Sequence, residues 1–262
     1  MTTPFDAVID QIKLRGFHNH RLEDHSDVVS QGILDDLRER CVPFANDLAT
    51  GKIFSWPNVR TPGARNRKID LLVSEADRAG NPDLEKLRFC VENKSVVTAH
   101  RNWYARFDDL NDALQVLHRA KAEAVLVATV IVGVAERVLN VPDGLRPRYR
   151  KRPGEFAEQI VPRLSSGDES LWDEFDWAIS INRPGDPAKT VRKFRELPTR
   201  QPSHTHILGY DYVLLVPAFI NNVDPPYIPG SDDPRNLGIN VQGEYDAMLD
   251  AVCKAYTARW HL

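Results

Sequence analysis

Cysteine is scarce in this sequence, with three residues among 262, and no Cys-x-x-Cys pair occurs. Cys41, Cys90 and Cys253 are scattered and odd in number, which disfavours both a cysteine-based zinc site and a framework of disulfides. Such sparse cysteine usage is typical of a reducing compartment, so the sequence predicts a cytoplasmic protein.

Long apolar runs are also lacking. The longest, Ala122 to Ala135, contains Glu123, Thr129 and Gly133 and is too short to cross a bilayer. The N-terminal residues show no basic-then-apolar signal pattern, which argues against secretion. No G-x-x-x-x-G-K-[ST] loop is present, so an ATP-driven motor in this chain is not expected. A membrane partner is disfavoured as well.

The chain also lacks an overall positive charge, because it has 34 Lys and Arg residues and 37 Asp and Glu residues. The charge is unevenly spread: residues 53–152 carry 18 basic and 12 acidic residues, whereas both flanking parts of the chain are acidic. The sequence therefore excludes a generally basic coat for nucleic acid, and any such partner requires a local basic patch.

Hydrophobic spacing predicts an α/β (α+β) fold with a mixed central sheet flanked by helices. One amphipathic helix is expected over residues 25–49 with Ser26 as its N-cap, followed by strands, a second helix and a buried strand. The strands are predicted at 53–59, 69–73, 87–97 and 124–134, with the second helix at 103–120. We expect a single domain, residues 1–262, with its core at 25–135 and an α/β elaboration at 136–262.

Three residues carry the chemistry that the sequence suggests. Glu92 and Lys94 are two residues apart in a strand and therefore project from the same face. Asp70 interrupts the preceding apolar strand, and hairpin pairing brings its carboxylate towards that of Glu92. Two neighbouring buried carboxylates repel each other unless a positive charge lies between them, and Mg²⁺ typically takes one or two carboxylates. The Lys94 ammonium is then placed to orient a water molecule or to stabilise transition-state charge.

This arrangement resembles the PD-(D/E)XK nuclease superfamily, the fold of many type II restriction endonucleases. The matching pattern is Ile69-Asp70, then a 21-residue hairpin, then Glu92-Asn93-Lys94, within a helix–strand–strand–strand–helix–strand order. Ile69 replaces the proline that names the motif. The resemblance implies that Asp70 and Glu92 are metal ligands and that Lys94 is the catalytic lysine.

The same resemblance implies a magnesium-dependent endonuclease that hydrolyses phosphodiester bonds of double-stranded DNA, with Mn²⁺ able to substitute for Mg²⁺. It also implies a restriction or phage-defence role, with residues 136–262 serving base recognition, homodimer formation or both. Many members add an acidic residue on the first helix. Asp36 and Glu39 are the candidates here, and the sequence does not choose between them.

Two basic segments flank the motif and are candidate nucleic-acid contacts, because backbone phosphates require local positive charge. Tyr149, inside the second segment, is a candidate for stacking on a base. The helical stretch Ala188 to Arg200 is the alternative basic surface, offering Arg192, Lys193 and Arg195 to a groove. The candidate contacts are Arg65, Arg67, Lys68, His100, Arg101, Arg146, Arg148, Arg150, Lys151 and Arg152.

Two other interpretations of the motif stay open. One is a catalytically silent module that keeps the fold and serves in nucleic-acid binding or in assembly. The other is a nuclease acting on RNA or branched DNA. Two further patterns point less clearly to chemistry. His18-Asn19-His20 spells HNH without the ββα spacing of HNH nucleases, and His204-x-His206 lacks a third metal ligand at suitable spacing.

Overall fold

The computed structural model describes residues 2–18, 24–61, 68–97, 99–142, 144–145, 149, 152 and 154–261, leaving out the side chains at 24, 99–102 and 172–173. The longer helices are α1 (Pro4–Arg15), α2 (Asp24–Arg40), α3 (Val42–Ala49), α4 (Ala99–Ala120), α8 (Asp186–Phe194) and α9 (Val241–Trp260). Three short helices are α5 (Glu155–Gln159), α6 (Val161–Ser165) and α7 (Ser170–Glu174). The strands are β1 (Phe54–Arg60), β2 (Lys68–Ala76), β3 (Pro82–Val96), β4 (Val125–Gly133), β5 (Arg137–Asn140), β6 (Ala178–Ile181) and β7 (Tyr212–Ala218).

Within the described residues, one mixed sheet of five strands has the order β1-β2-β3-β4-β7. The pairs β1–β2 and β2–β3 are antiparallel, whereas β3–β4 and β4–β7 are parallel. Every residue of β4 is buried, because helices cover both faces of a parallel pair. Strands β5 and β6 form a separate two-stranded antiparallel sheet. The predicted mixed α/β sheet flanked by helices is thus confirmed.

Helices cover the sheet in two groups. Helices α2 and α9 pack against the strands, and α1 and α3 pack against α2. Helices α4 and α8 pack against each other and against β4. The main hydrophobic core joins residues from both halves of the chain, from Phe5 on α1 to Tyr256 on α9. A smaller core lies around Phe156 and Leu171. No helix in the described part of the chain is long and apolar enough to span a membrane.

The single helix predicted over residues 25–49 is two helices. Helix α2 already includes Asp24, so Ser26 lies in its first turn and is not the N-cap. The helix is interrupted at Cys41, whose backbone is extended, and α3 begins immediately after it with Pro43 in its first turn. Pro43 lacks an N–H, and its ring would clash with the carbonyl of Glu39 four residues earlier in a continuous helix, which explains a break that apolar spacing does not reveal.

The prediction that disulfides are disfavoured is wrong for one pair. Cys41, at the junction of α2 and α3, is bonded to Cys253 on α9, with 5.4 Å between the two Cα atoms. The two residues are 212 positions apart, so only the packing of α9 across α2 and α3 brings them together. Cys90 is free and buried. The inference from cysteine spacing to a reducing compartment therefore loses its support.

Several elements end at one edge of the sheet, which we call the site edge. It comprises the carboxyl ends of β1, β3, β4 and β7 and the amino end of β2, as strand directions require. Helix α4 starts three residues after β3 ends and therefore has its amino end there too. Ligands in α/β folds bind preferentially beyond the carboxyl ends of parallel strands. The site edge is therefore the part of the fold to search for function.

Candidate active site

Asp70 and Glu92 lie on neighbouring strands at the site edge. The β2–β3 register pairs Leu71 with Val91 and Leu72 with Cys90, so Asp70 and Glu92 are the next residues along the two strands. Side chains directly opposite each other in an antiparallel pair share a face. The Asp70 carboxylate also accepts a hydrogen bond from the backbone N–H of Asn93, at 2.6 Å. The two acidic residues of the motif are thus neighbours in space.

Lys94 completes the cluster. Its ammonium donates a short hydrogen bond to Oε1 of Glu92 and a second one to the Asn93 carbonyl. The Lys94 side chain is only 14% exposed, so this cation is held close to the carboxylates and away from bulk solvent. A buried charge is costly unless an opposite charge pairs with it. Lys94 is therefore the counterion of Glu92 in this structure.

Burial dominates the electrostatics of both carboxyl groups. It raises the pKa of Glu92 to about 7; the nearby Lys94 opposes this and the negative charge of Asp70 adds to it. Burial also raises the pKa of Asp70, against the lowering effects of Lys94, the Asn93 N–H and a hydrogen bond from the Ser26 side chain. Raised carboxyl pKa values of this kind are typical of functional sites.

The donor set fits a hard divalent cation. Oε2 of Glu92 is buried and has no hydrogen-bond partner among the described residues. Such an orphaned acceptor is unfavourable unless a donor or a cation satisfies it. No cluster of three or more His, Cys, Asp or Glu residues occurs in the described ranges, so an all-protein metal cage is not found there. Two carboxylates with open coordination positions are what Mg²⁺ commonly uses, with water and phosphate oxygens as the remaining ligands.

Asn93, whose role the sequence motif does not predict, ties the motif to its surroundings. Its amide nitrogen donates to the hydroxyl of Ser30 and the carbonyl of Ser26, both on α2, at 2.8 and 3.2 Å. Its amide oxygen accepts a hydrogen bond of 2.7 Å from Thr129 on β4. Asn93 thus links β3 to α2 and β4. The sequence signal for this link is Thr129, the single polar residue in the run from Ala124 to Val134.

The acidic residue that acts on the site from α2, the first helix predicted from the sequence, is Asp27. Its negative charge raises the pKa of Asp70, and its carboxylate accepts a hydrogen bond of 2.7 Å from Asn58. Asp36 instead accepts a hydrogen bond of 2.5 Å from the hydroxyl of Tyr245 on α9. Glu39 is exposed near the end of α2. Asp36 and Glu39, the two candidates from the sequence, do not lie near Asp70, because both are two or more helical turns beyond Asp27 on α2.

The predicted phosphate contacts are only partly described. Lys68 begins β2 opposite Arg60, at the site edge. His100 and Arg101 belong to the first turn of α4, but their side chains are not among those described. Arg152 is exposed and pairs with Glu155 at 3.1 Å. The remaining candidates lie outside the described residues: Arg65, Arg67, Arg146, Arg148, Arg150 and Lys151.

Tyr149 does not serve as a stacking platform, contrary to the prediction. It is 2% exposed and packs edge-on against Phe156, with 5.3 Å between ring centroids. The ring is part of the smaller hydrophobic core. Burying this large apolar surface is more favourable than exposing the ring beside its basic sequence neighbours. On α8 and the turn that follows it, by contrast, Arg192, Lys193 and Arg195 are exposed while Val191, Phe194 and Leu197 are buried, as the helical spacing predicted.

The histidine patterns have separate environments. His18 is buried, stacks on His25 of α2 with ring centroids 5.2 Å apart, and lies 3.5 Å from the Ser95 hydroxyl. It therefore borders the candidate site as part of the packing between α2 and β3. His204 and His206 are exposed, with ring centroids 6.1 Å apart.

Comparison with known proteins gives no match: no family model, no curated protein and no solved structure corresponds to this chain. Function must therefore be inferred from the site itself.

Proposed function

We propose that this protein is a metal-dependent endonuclease of the PD-(D/E)XK type that hydrolyses phosphodiester bonds in DNA. The observation that carries the proposal is the cluster of Asp70, Glu92 and Lys94 at the site edge, where two carboxyl groups with raised pKa values share one lysine. The order of elements along the chain from α3 to β4, helix–strand–strand–strand–helix–strand, supports the proposal because the resemblance implies the same order. Restriction-type activity on double-stranded DNA, a homodimer and a defence role rest on the resemblance alone.

Each residue has a distinct part in this proposal. Asp70 and the unpaired Oε2 of Glu92 supply the oxygens that hold Mg²⁺ or Mn²⁺. When bound, the cation supplies positive charge at the scissile phosphate and acidifies a coordinated water. The Lys94 ammonium, already beside Glu92, orients the attacking water and stabilises the additional negative charge of the transition state. Hydrogen bonds from Asn93 to Ser26 and Ser30 hold the strand carrying these groups against α2.

Incubation of the purified protein with plasmid and genomic DNA, methylated and unmethylated, tests the proposal. Mg²⁺ or Mn²⁺ should support cleavage and EDTA should abolish it. Lys94→Ala should reduce the rate of DNA cleavage by about a hundredfold or more, because it removes a charge that acts in the transition state. Lys254→Ala, which removes an exposed lysine on α9, is the matched control and should cleave normally.

The same assay separates the alternative functions. Undiminished cleavage by Lys94→Ala would refute the assigned site. Binding of DNA without cleavage under every metal condition would favour the catalytically silent module. Cleavage of RNA or of branched DNA in place of the duplex would retain the chemistry and change the substrate.

A further inference from the structure

A cavity of about 440 Å³, lined mainly by apolar surface, opens near the site edge. Its walls come from the segments that follow β4, β6 and β7, including Ala135, Asn182 and Phe219. Its volume falls within the range of about 300–1,000 Å³ that small-molecule sites occupy. None of the residues discussed for catalysis lines it.

Two cations at the cavity have no ion pair within the described part of the chain. Arg137 and Arg183 both line the cavity and are exposed, and neither forms a salt bridge with any residue that the structure describes. Glu136 is the acidic residue among the lining residues, so the two arginines outweigh it. A third arginine, Arg235, is already neutralised by Asp233 at 2.8 Å. Guanidinium groups with free donors are well suited to a phosphate.

The wall of the cavity contributes a buried amide. Asn182 is 3% exposed, and its nitrogen donates to the Ala135 carbonyl at 2.7 Å and to the Val97 carbonyl at 3.5 Å. Its oxygen is buried and has no hydrogen-bond partner among the described residues. A ligand that carries an N–H donor would satisfy this acceptor once the side chain turns its oxygen towards the cavity that it lines. Phe219 and Leu237 add apolar surface to the same cavity.

The cavity is also close to the proposed catalytic lysine. Val97, whose carbonyl contacts Asn182, lies three residues beyond Lys94, a distance of roughly 10 Å along an extended chain. The cavity and the proposed catalytic lysine therefore lie at the same edge of the sheet.

We propose that this cavity binds a nucleoside monophosphate unit, with the phosphate on Arg137 and Arg183 and an N–H edge of the base facing Asn182. Apolar walls, an orphaned acceptor and two arginines without acidic partners in the described structure together match a flat base joined to an anion. The unit is either a nucleotide of the substrate strand or a free nucleotide. The strand assignment rests on the proposed function, and the free-nucleotide assignment does not.

The test uses the full chain in EDTA, so that no cleavage occurs. Calorimetric titration with the four deoxynucleoside monophosphates and with inorganic phosphate measures the free ligand. Anisotropy and fluorescence of DNA containing 2-aminopurine measure the strand. The rim variant Arg137→Ala/Arg183→Ala is compared with Arg78→Ala/Arg119→Ala, which removes two exposed arginines from the opposite edge of the sheet.

We expect the rim variant to bind at least one of the two ligand forms about tenfold or more weakly, as the loss of charged hydrogen bonds predicts, and the control variant to be unchanged. Weaker DNA binding with a smaller 2-aminopurine signal assigns the cavity to the strand. Weaker monophosphate binding with normal DNA binding assigns it to a free nucleotide. The inference fails if the rim and control variants bind alike, or if inorganic phosphate binds as tightly as the monophosphates.

Failure of this inference and failure of the proposed function give different results. If the wild-type protein cleaves DNA while the rim variant binds every ligand normally, the nuclease proposal stands and the cavity assignment is lost. If the wild-type protein cleaves nothing with either metal but binds monophosphates through the rim arginines, the reverse holds.

Discussion

Asp70 has two proposed effects, repulsion of a DNA phosphate and binding of a metal ion, and two assays on one substitution measure them separately. Its carboxylate accepts the Asn93 N–H and lies near Glu92, so it adds negative charge where a DNA phosphate would enter. Asp70→Asn keeps the shape of the side chain and removes that charge. We therefore expect DNA binding in EDTA to tighten severalfold and cleavage with Mg²⁺ to be lost, because repulsion disappears together with a metal ligand.

Fluorescence anisotropy with labelled duplex and a parallel cleavage assay provide the measurement. Asp250→Asn removes the same charge from an exposed position on α9 and should change neither result. Weaker DNA binding by Asp70→Asn, or normal cleavage, would contradict the assignment of Asp70.

The raised pKa of Glu92 predicts how the stability of the metal-free protein depends on pH. In the folded chain this pKa is about 7, whereas the ordinary value is 4.5. Between these two values the folded state binds more protons than the unfolded state, so the free energy of unfolding should decrease as pH rises from about 4.5 to 7. The raised pKa of Asp70 acts in the same direction.

Urea unfolding in EDTA at several pH values measures this dependence. Glu92→Gln should flatten the decrease because the titrating group is gone. Glu85→Gln, which alters an exposed residue of β3, should keep the wild-type pH profile. The prediction is wrong if Glu92→Gln and the wild-type protein have the same profile.

At the scale of elements, Asn93 is the tie between β3, α2 and β4. Asn93→Ala removes its hydrogen bonds to Ser30 and Thr129 and leaves those partly buried groups unsatisfied. We expect the free energy of unfolding to fall by about 1–3 kcal/mol. Cleavage should fall as well, because Glu92 and Lys94 then lose their orientation.

A double-mutant cycle with Ser30→Ala measures the link between β3 and α2 directly. If Asn93 acts through Ser30, the two substitutions should be less than additive in urea unfolding. Fully additive effects would show that the two side chains do not cooperate across this interface.

The disulfide joins the end of α2 to α9. Reduction should lower the free energy of unfolding by about 2–4 kcal/mol, because the bond closes a very long loop in the unfolded chain. Cys253→Ser should show the lower stability from the start and should not respond to reductant. Thiol titration of the denatured, unreduced protein should find Cys90 alone, and three reactive thiols would contradict the pairing.

At the scale of the whole molecule, the net negative charge means that any binding of DNA would depend on local basic patches. If the segment 146–152 contacts phosphates, Ala substitution of its basic residues should weaken binding to every sequence. Those residues are Arg146, Arg148, Arg150, Lys151 and Arg152. The slope of log affinity against log salt should flatten by about 0.9 for each phosphate that the variant no longer neutralises.

Anisotropy titrations over a series of salt concentrations give that slope. If both the slope and the affinity are unchanged, segment 146–152 does not contact phosphates. The next candidate surface is then α8 with its C-cap, where Arg192, Lys193 and Arg195 are exposed. The matching substitutions on α8 are therefore the comparison for this experiment.

Local sequence patterns were sufficient to predict most strands of the sheet and the positions of Asp70, Glu92 and Lys94 on two neighbouring strands. The β-branched run of β4 requires a strand buried on both faces, and the spacing of Val191, Phe194 and Leu197 requires the apolar stripe of α8. Asp70 and Glu92 stand out because charges within apolar runs need partners. These signals depend on residues a few positions apart, so they can be read without the fold.

Which distant groups meet depends instead on tertiary packing. Cys41 finds Cys253 because α9 crosses α2 and α3, and Asp27, rather than Asp36 or Glu39, acts on Asp70 because the amino end of α2 lies at the site edge. Tyr149 is buried although its sequence neighbours are basic. Each outcome depends on how helices pack across the sheet, which no spacing along the chain specifies.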